Sequence, residues 1–492
     1  MNQLAKKTAS GAFINIAATL TKNLGQYVIV FPILARILTP EQFGLIAMAM
    51  MLVGFLTTFN DLGISAALVR EENPSAAFWS SAFWLNLGFG LTMTIAAYMA
   101  APWVAAFCGE PQVEQVARVM SCILMLHCTF LVPMAWLQRN FKFQTIAVID
   151  LTAIFSSSAI AIYMALNGYG VWALAWQQII LYAIKAVAGL LFHKAPIRLI
   201  FDWQPIRAVL PFSLGLTGTA FVRFVNRNVD NLLIGRFLGT ESLGYYSRAY
   251  LFMMMPVKTL TSGLNFALFP AYSAVKDDTQ KLGTAYLKVF SIQCMLVFPM
   301  MTGLALVAVP FVDIMFGPQW GPVAPVLRIL AFVGIVQAAV AQAQVVWTSR
   351  GRSGVLLRWS LIRAVVFFLA FCLGIYIGTL EAMAALFLVA NVVLFIPFQF
   401  EILKELNLSA GKYLEALKAP IVATISMAIA VLATIQLIPS LDSWSSWQQA
   451  TSLAAIGASV YFACLLILFR PFVNAIVQDA RALRGGDNSI ID

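Results

Sequence analysis

Apolar stretches of about 20 residues recur from one end of this chain to the other, separated by short polar breaks. That recurrence limits the fold more than any other feature. At 1.5 Å per residue each stretch crosses a hydrocarbon layer of about 30 Å as a helix. In lipid the backbone has to satisfy its own hydrogen bonds, which an α-helix does within one segment. The composition agrees. Of 492 residues, 61% are apolar and 11% charged, against roughly 25% charged in a soluble domain that must face water on all sides. The expected class is all-α, a polytopic membrane protein.

Fourteen spans can be drawn, at about 11–37, 43–63, 78–101, 117–138, 144–166, 169–192, 209–237, 243–269, 285–309, 322–347, 355–378, 381–402, 418–438 and 448–470. Basic residues then sort by side. Twenty of the 31 Lys and Arg fall in the termini and in the loops after even-numbered spans, Lys6, Arg139, Lys194, Arg350 and Lys404 among them. Five, Arg36, Arg118, Arg236, Arg248 and Arg328, fall on the other side, helix ends being counted with the loops they adjoin, and the remaining six lie deeper within spans. The positive-inside rule therefore puts both termini in the cytoplasm. An error of one in the span count would destroy the alternation.

Topology also accounts for the net charge of +10. Nucleic acid is not an expected partner, because that use needs clustered charge and aromatics on a soluble module, and no polar stretch exceeds about 20 residues. Lys22 and Asn23 interrupt the first apolar run, so the first span reads as retained rather than as a cleaved signal. Cys108, Cys122, Cys128, Cys294, Cys372 and Cys464 show no metal-ligand spacing and read as packing residues. No metal, cofactor or catalytic residue is expected.

The chain resembles itself at an offset of 200 residues. Aligning 35–51 with 235–251 pairs Arg36, Leu38, Glu41, Gly44 and Ala49 with Arg236, Leu238, Glu241, Gly244 and Ala249. Spans one and seven both start inside, so the halves are parallel repeats, which commonly flank a substrate path. The expected organisation is an N-terminal six-helix lobe (1–192), a cytoplasmic linker (193–208), a second six-helix lobe (209–402), and an added helix pair with a cytoplasmic tail (403–492).

The same offset aligns two polar stripes. Asn15, Thr19, Lys22 and Gln26 follow the spacing i, i+4, i+7, i+11 of one helical face, with Asn23 beside them. Thr219, Arg223, Asn226 and Asp230 repeat it in span seven, with Arg227 alongside. A cation in mid-membrane costs from about 2.5 kcal/mol upward unless it meets water, a partner or a ligand. Two equivalent stripes predict that both helices line one polar cavity between the halves. Lys22, Arg223 and Arg227 outnumber Asp230, so the complement is an anion, which the planar fork of Arg suits. The structural alternative is an Arg227–Asp230 ion pair one turn apart.

Other embedded groups remain open between roles. Lys185, Lys258 and Arg363 either line the cavity or snorkel to an interface. Asp61 and Asp150 either cap helices, bind a nearby Arg or act on substrate. His127 reads first as a packing residue, with proton coupling behind it.

Several motifs are similar to those of bacterial polysaccharide flippases. Leu38-Thr39-Pro40-Glu41-Gln42-Phe43-Gly44-Leu45 resembles their segment joining the first two spans, and Asp61-Leu62-Gly63 their end of span two. More specific are Asp230-Asn231-Leu232-Leu233-Ile234-Gly235-Arg236-Phe237-Leu238-Gly239, Leu243-Gly244-Tyr245-Tyr246-Ser247-Arg248-Ala249-Tyr250 and Phe316-Gly317-Pro318-Gln319-Trp320. The resemblance covers residues 1 to about 400 and is to the multidrug/oligosaccharidyl-lipid/polysaccharide superfamily, in particular its colanic-acid and succinoglycan exporters. It implies two six-helix lobes in a V around a central cavity. It further implies an undecaprenyl-diphosphate-linked oligosaccharide as substrate, moved between leaflets of the inner membrane, with a polysaccharide polymerase and a chain-length regulator as candidate partners. Lys22, Asn23, Gln26, Arg223, Asn226, Arg227 and Asp230 are the expected substrate-binding residues. Three rivals stand beside this reading. A polymerase or ligase needs a larger external loop than is present, a drug/cation antiporter favours an acidic cavity, and a purely structural protein leaves the embedded cations unexplained.

Overall fold

The computed structural model describes residues 18–60, 64–71 and 74–471; within these the side chains at 205, 208–223, 225–227, 262–271 and 442 lie outside the description. Every regular element among the described residues is a helix. Eleven helices are long and apolar enough to cross a membrane. They match expected spans two to six and nine to fourteen, while the other three, 11–37, 209–237 and 243–269, fall partly on residues outside the description. The chain is a multi-pass membrane protein.

It divides into two units, Met1–Ser247 and Arg248–Asp492. In the first, a π-helical turn at Gly25–Val30 leads into α1 (Phe31–Ile37), followed by α2 (Pro40–Thr57), α3 (Ile64–Arg70) and α4 (Ala76–Cys108). Then come α5 (Gln112–Met120), α6 (Cys122–Arg139), α7 (Phe143–Leu166) and α8 (Val171–Phe192). Helix α9 (Trp203–Ala274) carries a break at Gly239, where φ is 85° and ψ 175°. The second unit holds α10 (Thr279–Leu306), α11 (Ala308–Phe316), α12 (Val323–Ser349), α13 (Ser353–Ile377), α14 (Leu380–Glu405), α15 (Ala410–Leu437) and α16 (Ser446–Leu468).

Local chemistry sets the ends. The Thr39 side chain caps α2 and forms a reciprocal box with Gln42, with Pro40 in the first turn. Ser75, Asp278, Thr379, Ser409 and Ser445 cap α4, α10, α14, α15 and α16 by accepting first-turn backbone N–H groups, Ser445 with a second reciprocal box. At 33 residues α4 is about 50 Å long, so it projects beyond the hydrocarbon layer. It stops at Gly109, whose φ of 73° suits a residue without Cβ.

Lipid takes the place of water around this fold. On α13 only Trp359, Phe371 and Gly374 are buried, while Leu361, Val365, Leu369 and Leu373 are exposed. An apolar surface that size on a soluble monomer would aggregate. Inside the first unit, α3, α4 and α6 close on Ile64, Leu68, Phe78, Trp79 and Val132. In the second, Tyr286, Phe290, Trp347, Trp359, Phe398 and Tyr413 form an aromatic core. The added pair, α15 and α16, packs onto α10 through Ala419, Ala423, Met427 and Tyr461. Tyr461 donates to the Met295 carbonyl at 2.7 Å, and Ser291 to that of Ala416 at 2.8 Å.

Candidate functional site

The polar face of the first helix leads into the π-helical turn. A π turn closes its hydrogen bonds at i→i+5, here Phe31 N–H to the Gln26 carbonyl, and such turns concentrate at functional sites. Gly25 makes the turn fit. A Cβ there would stand 2.7 Å from the Phe155 ring, so glycine lets the helix lie against α7. One residue on, Gln26 meets α7 directly. The buried Ser158 hydroxyl donates to Gln26 Oε1 at 3.3 Å and accepts from Gln177 Nε2 at 3.1 Å, joining the first helix, α7 and α8.

Lys22 and Asn23 lie a turn earlier and are half-buried. Among the described residues Lys22 has neither an ion-pair nor a hydrogen-bond partner. Thr19 is exposed, and Asn15 lies outside the described residues. The side chains of Arg223, Asn226, Arg227 and Thr219 also lie outside them, although the backbone there is helical.

Asp230 is 5% exposed. Its Oδ2 accepts from the Tyr246 hydroxyl at 3.0 Å and its Oδ1 from the Asn231 backbone N–H at 2.8 Å. Tyr246 is fully buried and lies beyond the Gly239 break. The carboxylate thus ties together the two arms of α9, and each of its oxygens already holds a donor.

The remaining embedded groups separate clearly. Lys185 pairs with Asp150 at 2.6 Å, joining α8 to α7, so Asp150 meets a lysine where the sequence suggested an arginine. Arg363 stacks over the Phe398 ring, 4.9 Å from its centroid. Lys258 is exposed. His127 packs edge-on against Tyr182, with its Nδ1 3.5 Å from Asn60 Nδ2. Asp61 lies outside the described residues.

Sequence reasoning missed two sets of residues. Ser158 and Gln177 were signalled by Ser156-Ser157-Ser158 and Gln177-Gln178, polar runs inside apolar spans. Arg139 and Arg350 were counted only as inside charges. Arg139 donates to the carbonyls of Leu68 and Val69, each at 3.2 Å, and to that of Glu71. Arg350 donates to the Lys276 carbonyl at 3.1 Å, to Thr279 Oγ1 at 2.6 Å and to Glu405 Oε1 at 2.8 Å.

The repeat also has a structural counterpart inside the first unit. A Cβ on Gly44 would sit 1.8 Å from the Thr240 carbonyl oxygen, and one on Gly244 would sit 2.0 Å from that of Pro40. Thr240 occupies the position of Pro40 advanced by 200, and Gly244 that of Gly44 advanced likewise. The two copies therefore touch reciprocally, as a local two-fold relation requires.

Chemically, the array offers amides, a hydroxyl and a cation. Among the described residues no group of three His, Cys, Asp or Glu could hold a metal ion. Such a surface suits binding of a polar, anionic group.

Comparison with known proteins agrees with this architecture. The chain is 29% identical over 480 residues to the succinoglycan biosynthesis transport protein ExoT of Rhizobium meliloti, covering 95% of this chain and 96% of that one. It is 25% identical to the lipopolysaccharide biosynthesis protein WzxC of Escherichia coli, over 75% and 76% of the two chains. Among solved structures, a lipid II flippase MurJ in an inward closed conformation superimposes with a TM-score of 0.71 at 12% identity, over 94% and 99% of the chains. An inward-facing multidrug resistance MATE transporter gives 0.61 at 17% identity, over 80% and 99%. These two establish a shared fold. Residues 33–325, more than half of the chain, match the polysaccharide biosynthesis protein family, and the chain belongs to that family.

Proposed function

We propose that this chain is a flippase of the bacterial inner membrane. It turns undecaprenyl-diphosphate-linked oligosaccharide repeat units from the cytoplasmic to the periplasmic leaflet, for exopolysaccharide or lipopolysaccharide synthesis. The observation that carries this reading is Lys22, a cation within a membrane span that has no counter-ion among the described residues. A charge in that setting is retained where a ligand or water compensates it. The similarity to a succinoglycan biosynthesis transport protein over 95% of this chain supports a substrate from polysaccharide synthesis.

The physical obstacle is the sugar-diphosphate head, since the prenyl tail stays in lipid. Taking such a head into hydrocarbon costs several kcal/mol for each hydrogen bond lost. Lys22, Arg223 and Arg227, with Asn23, Gln26 and Asn226, replace those bonds within a cavity, and Asp230 holds the seventh helix in place. Lobes 1–192 and 209–402 rock about the linker at 193–208, exposing the head to one side and then the other. Both termini lie in the cytoplasm, and 403–492 contributes the added helix pair. The product then passes to a polysaccharide polymerase and its chain-length regulator. The cationic stripes oppose the reading as a drug/cation antiporter, which shares the fold.

The test is export in a deletion strain complemented with Lys22→Ala or with Arg223→Ala/Arg227→Ala. Each variant is expected to lower export at least about tenfold, the size of one charge-assisted hydrogen bond. Lipid-linked repeat units then accumulate facing the cytoplasm. Wild-type export by variants present at normal membrane levels would overturn the assignment.

A further inference from the structure

A second cationic feature lies in the Arg248–Asp492 unit, apart from the polar stripes. Where α12 ends, α13 begins and α14 ends, an open basin of 670 Å³ is lined by Arg350, Arg352, Arg358, Glu401, Lys404 and Glu405. Its charges are unequally engaged. Arg350 is half of a brace, committed to Lys276, Thr279 and Glu405. Arg352 reaches Glu405 at 3.4 Å but is 58% exposed. Arg358 pairs with Glu401, which also accepts the Trp359 indole N–H at 2.7 Å, and Arg358 is 56% exposed. The Lys404 side chain is exposed and has no partner among the described residues. Four cations against two carboxylates leave two positive charges facing an open space.

The surroundings identify what fills it. From the rim, Leu357, Leu361 and Val365 run along α13 at i, i+4 and i+8, all exposed. Ile396 and Phe400 are likewise exposed on the neighbouring α14. A soluble phosphate has no use for such an apolar wall, whereas acyl chains lie along it. Basic pockets between membrane helices at the cytoplasmic surface suit acidic headgroups. The positive-inside reading places these helix ends on that surface.

We propose that this basin is a binding site for an acidic phospholipid of the inner leaflet. Its two spare charges match a two-phosphate headgroup such as that of diphosphatidylglycerol. The headgroup phosphates sit against Arg352, Arg358 and Lys404, and the acyl chains follow the exposed faces of α13 and α14. This site is independent of the transport reading, because it concerns a resident lipid and not the cargo.

Native mass spectrometry of the purified full-length protein tests the proposal, with diphosphatidylglycerol, phosphatidylethanolamine and inorganic pyrophosphate each as probe. The wild type is expected to retain diphosphatidylglycerol well above phosphatidylethanolamine, and pyrophosphate to displace it poorly. Each cation is worth about fivefold, so Arg352→Ser/Arg358→Ser/Lys404→Ser lowers retention about 100-fold. Lys404→Ala serves where the triple variant misfolds; its ammonium holds no ion pair among the described residues, so a loss of about fivefold reports the ligand. Equal retention of both lipids, displacement by pyrophosphate at matched phosphate concentration, or unchanged binding by Lys404→Ala would each overturn the proposal. Export measured in the same variants bears on the transport reading and not on this lipid site.

Discussion

Gly44 and Gly244 belong to a run of local sequence similarity that could have been chance. Their contacts show why glycine is required at both. Each backbone meets the other copy's carbonyl so closely that a methyl group has no room and no flexible neighbour to displace. Gly44→Ala and Gly244→Ala are each expected to destabilise the protein by about 3 kcal/mol, at the upper end of ordinary overpacking. Gly88→Ala is the control, since nothing lies within 4 Å of its Cβ position, and removing a helical glycine gains up to about 1 kcal/mol. Unfolding of the detergent-solubilised variants measures all three, and equal stability across the set would refute the reciprocal contact. Asp230 makes a related point. Its place in the polar stripe was readable, but its engagement by Tyr246, sixteen positions away, was not.

At the scale of elements, one device recurs. Arg139 reaches from the end of α6 to the end of α3, and Arg350 reaches from the end of α12 to residues beyond α9. In each unit a planar guanidinium satisfies carbonyls that a helix end leaves without donors. Arg139→Ala is expected to lower stability by about 1 kcal/mol, a modest figure because water reaches part of the site. Arg139→Lys restores little of it, since the three carbonyls converge on Nη1 at the far end of the guanidinium and the lysine ammonium ends about one bond short of it. Thermal unfolding of both variants checks this, and full rescue by lysine would show that charge alone matters. The π turn at Gly25–Val30 is also an element-scale result. The heptad-like spacing of polar residues predicted a regular α-helical face, and the structure has a wider turn from Gly25, which packs closely on Phe155.

For the whole molecule, the ordering of loops rests on the asymmetric placement of Lys and Arg. Membrane-impermeant thiol labelling in a cysteine-free background tests it. Lys194→Cys should react only after cells are broken, and Asn167→Cys should react in intact spheroplasts. Both sites are loop positions outside the long helices. Labelling of the two from the same side would remove the topological basis of the transport direction.

Helix class, the positions of the eleven described spans and the 200-residue repeat were legible in the sequence alone. They rest on hydropathy, charge and local spacing, which act within a segment or between a segment and the bilayer. Partnership was decided only by tertiary structure. Lys185 finds Asp150, Gln26 finds Ser158 and Gln177, Arg350 finds Glu405, and Gly44 finds Thr240 because folding brings distant positions within a few ångströms. An embedded polar side chain looks the same in sequence whether a neighbour neutralises it or a ligand must, and only packing in three dimensions separates the two.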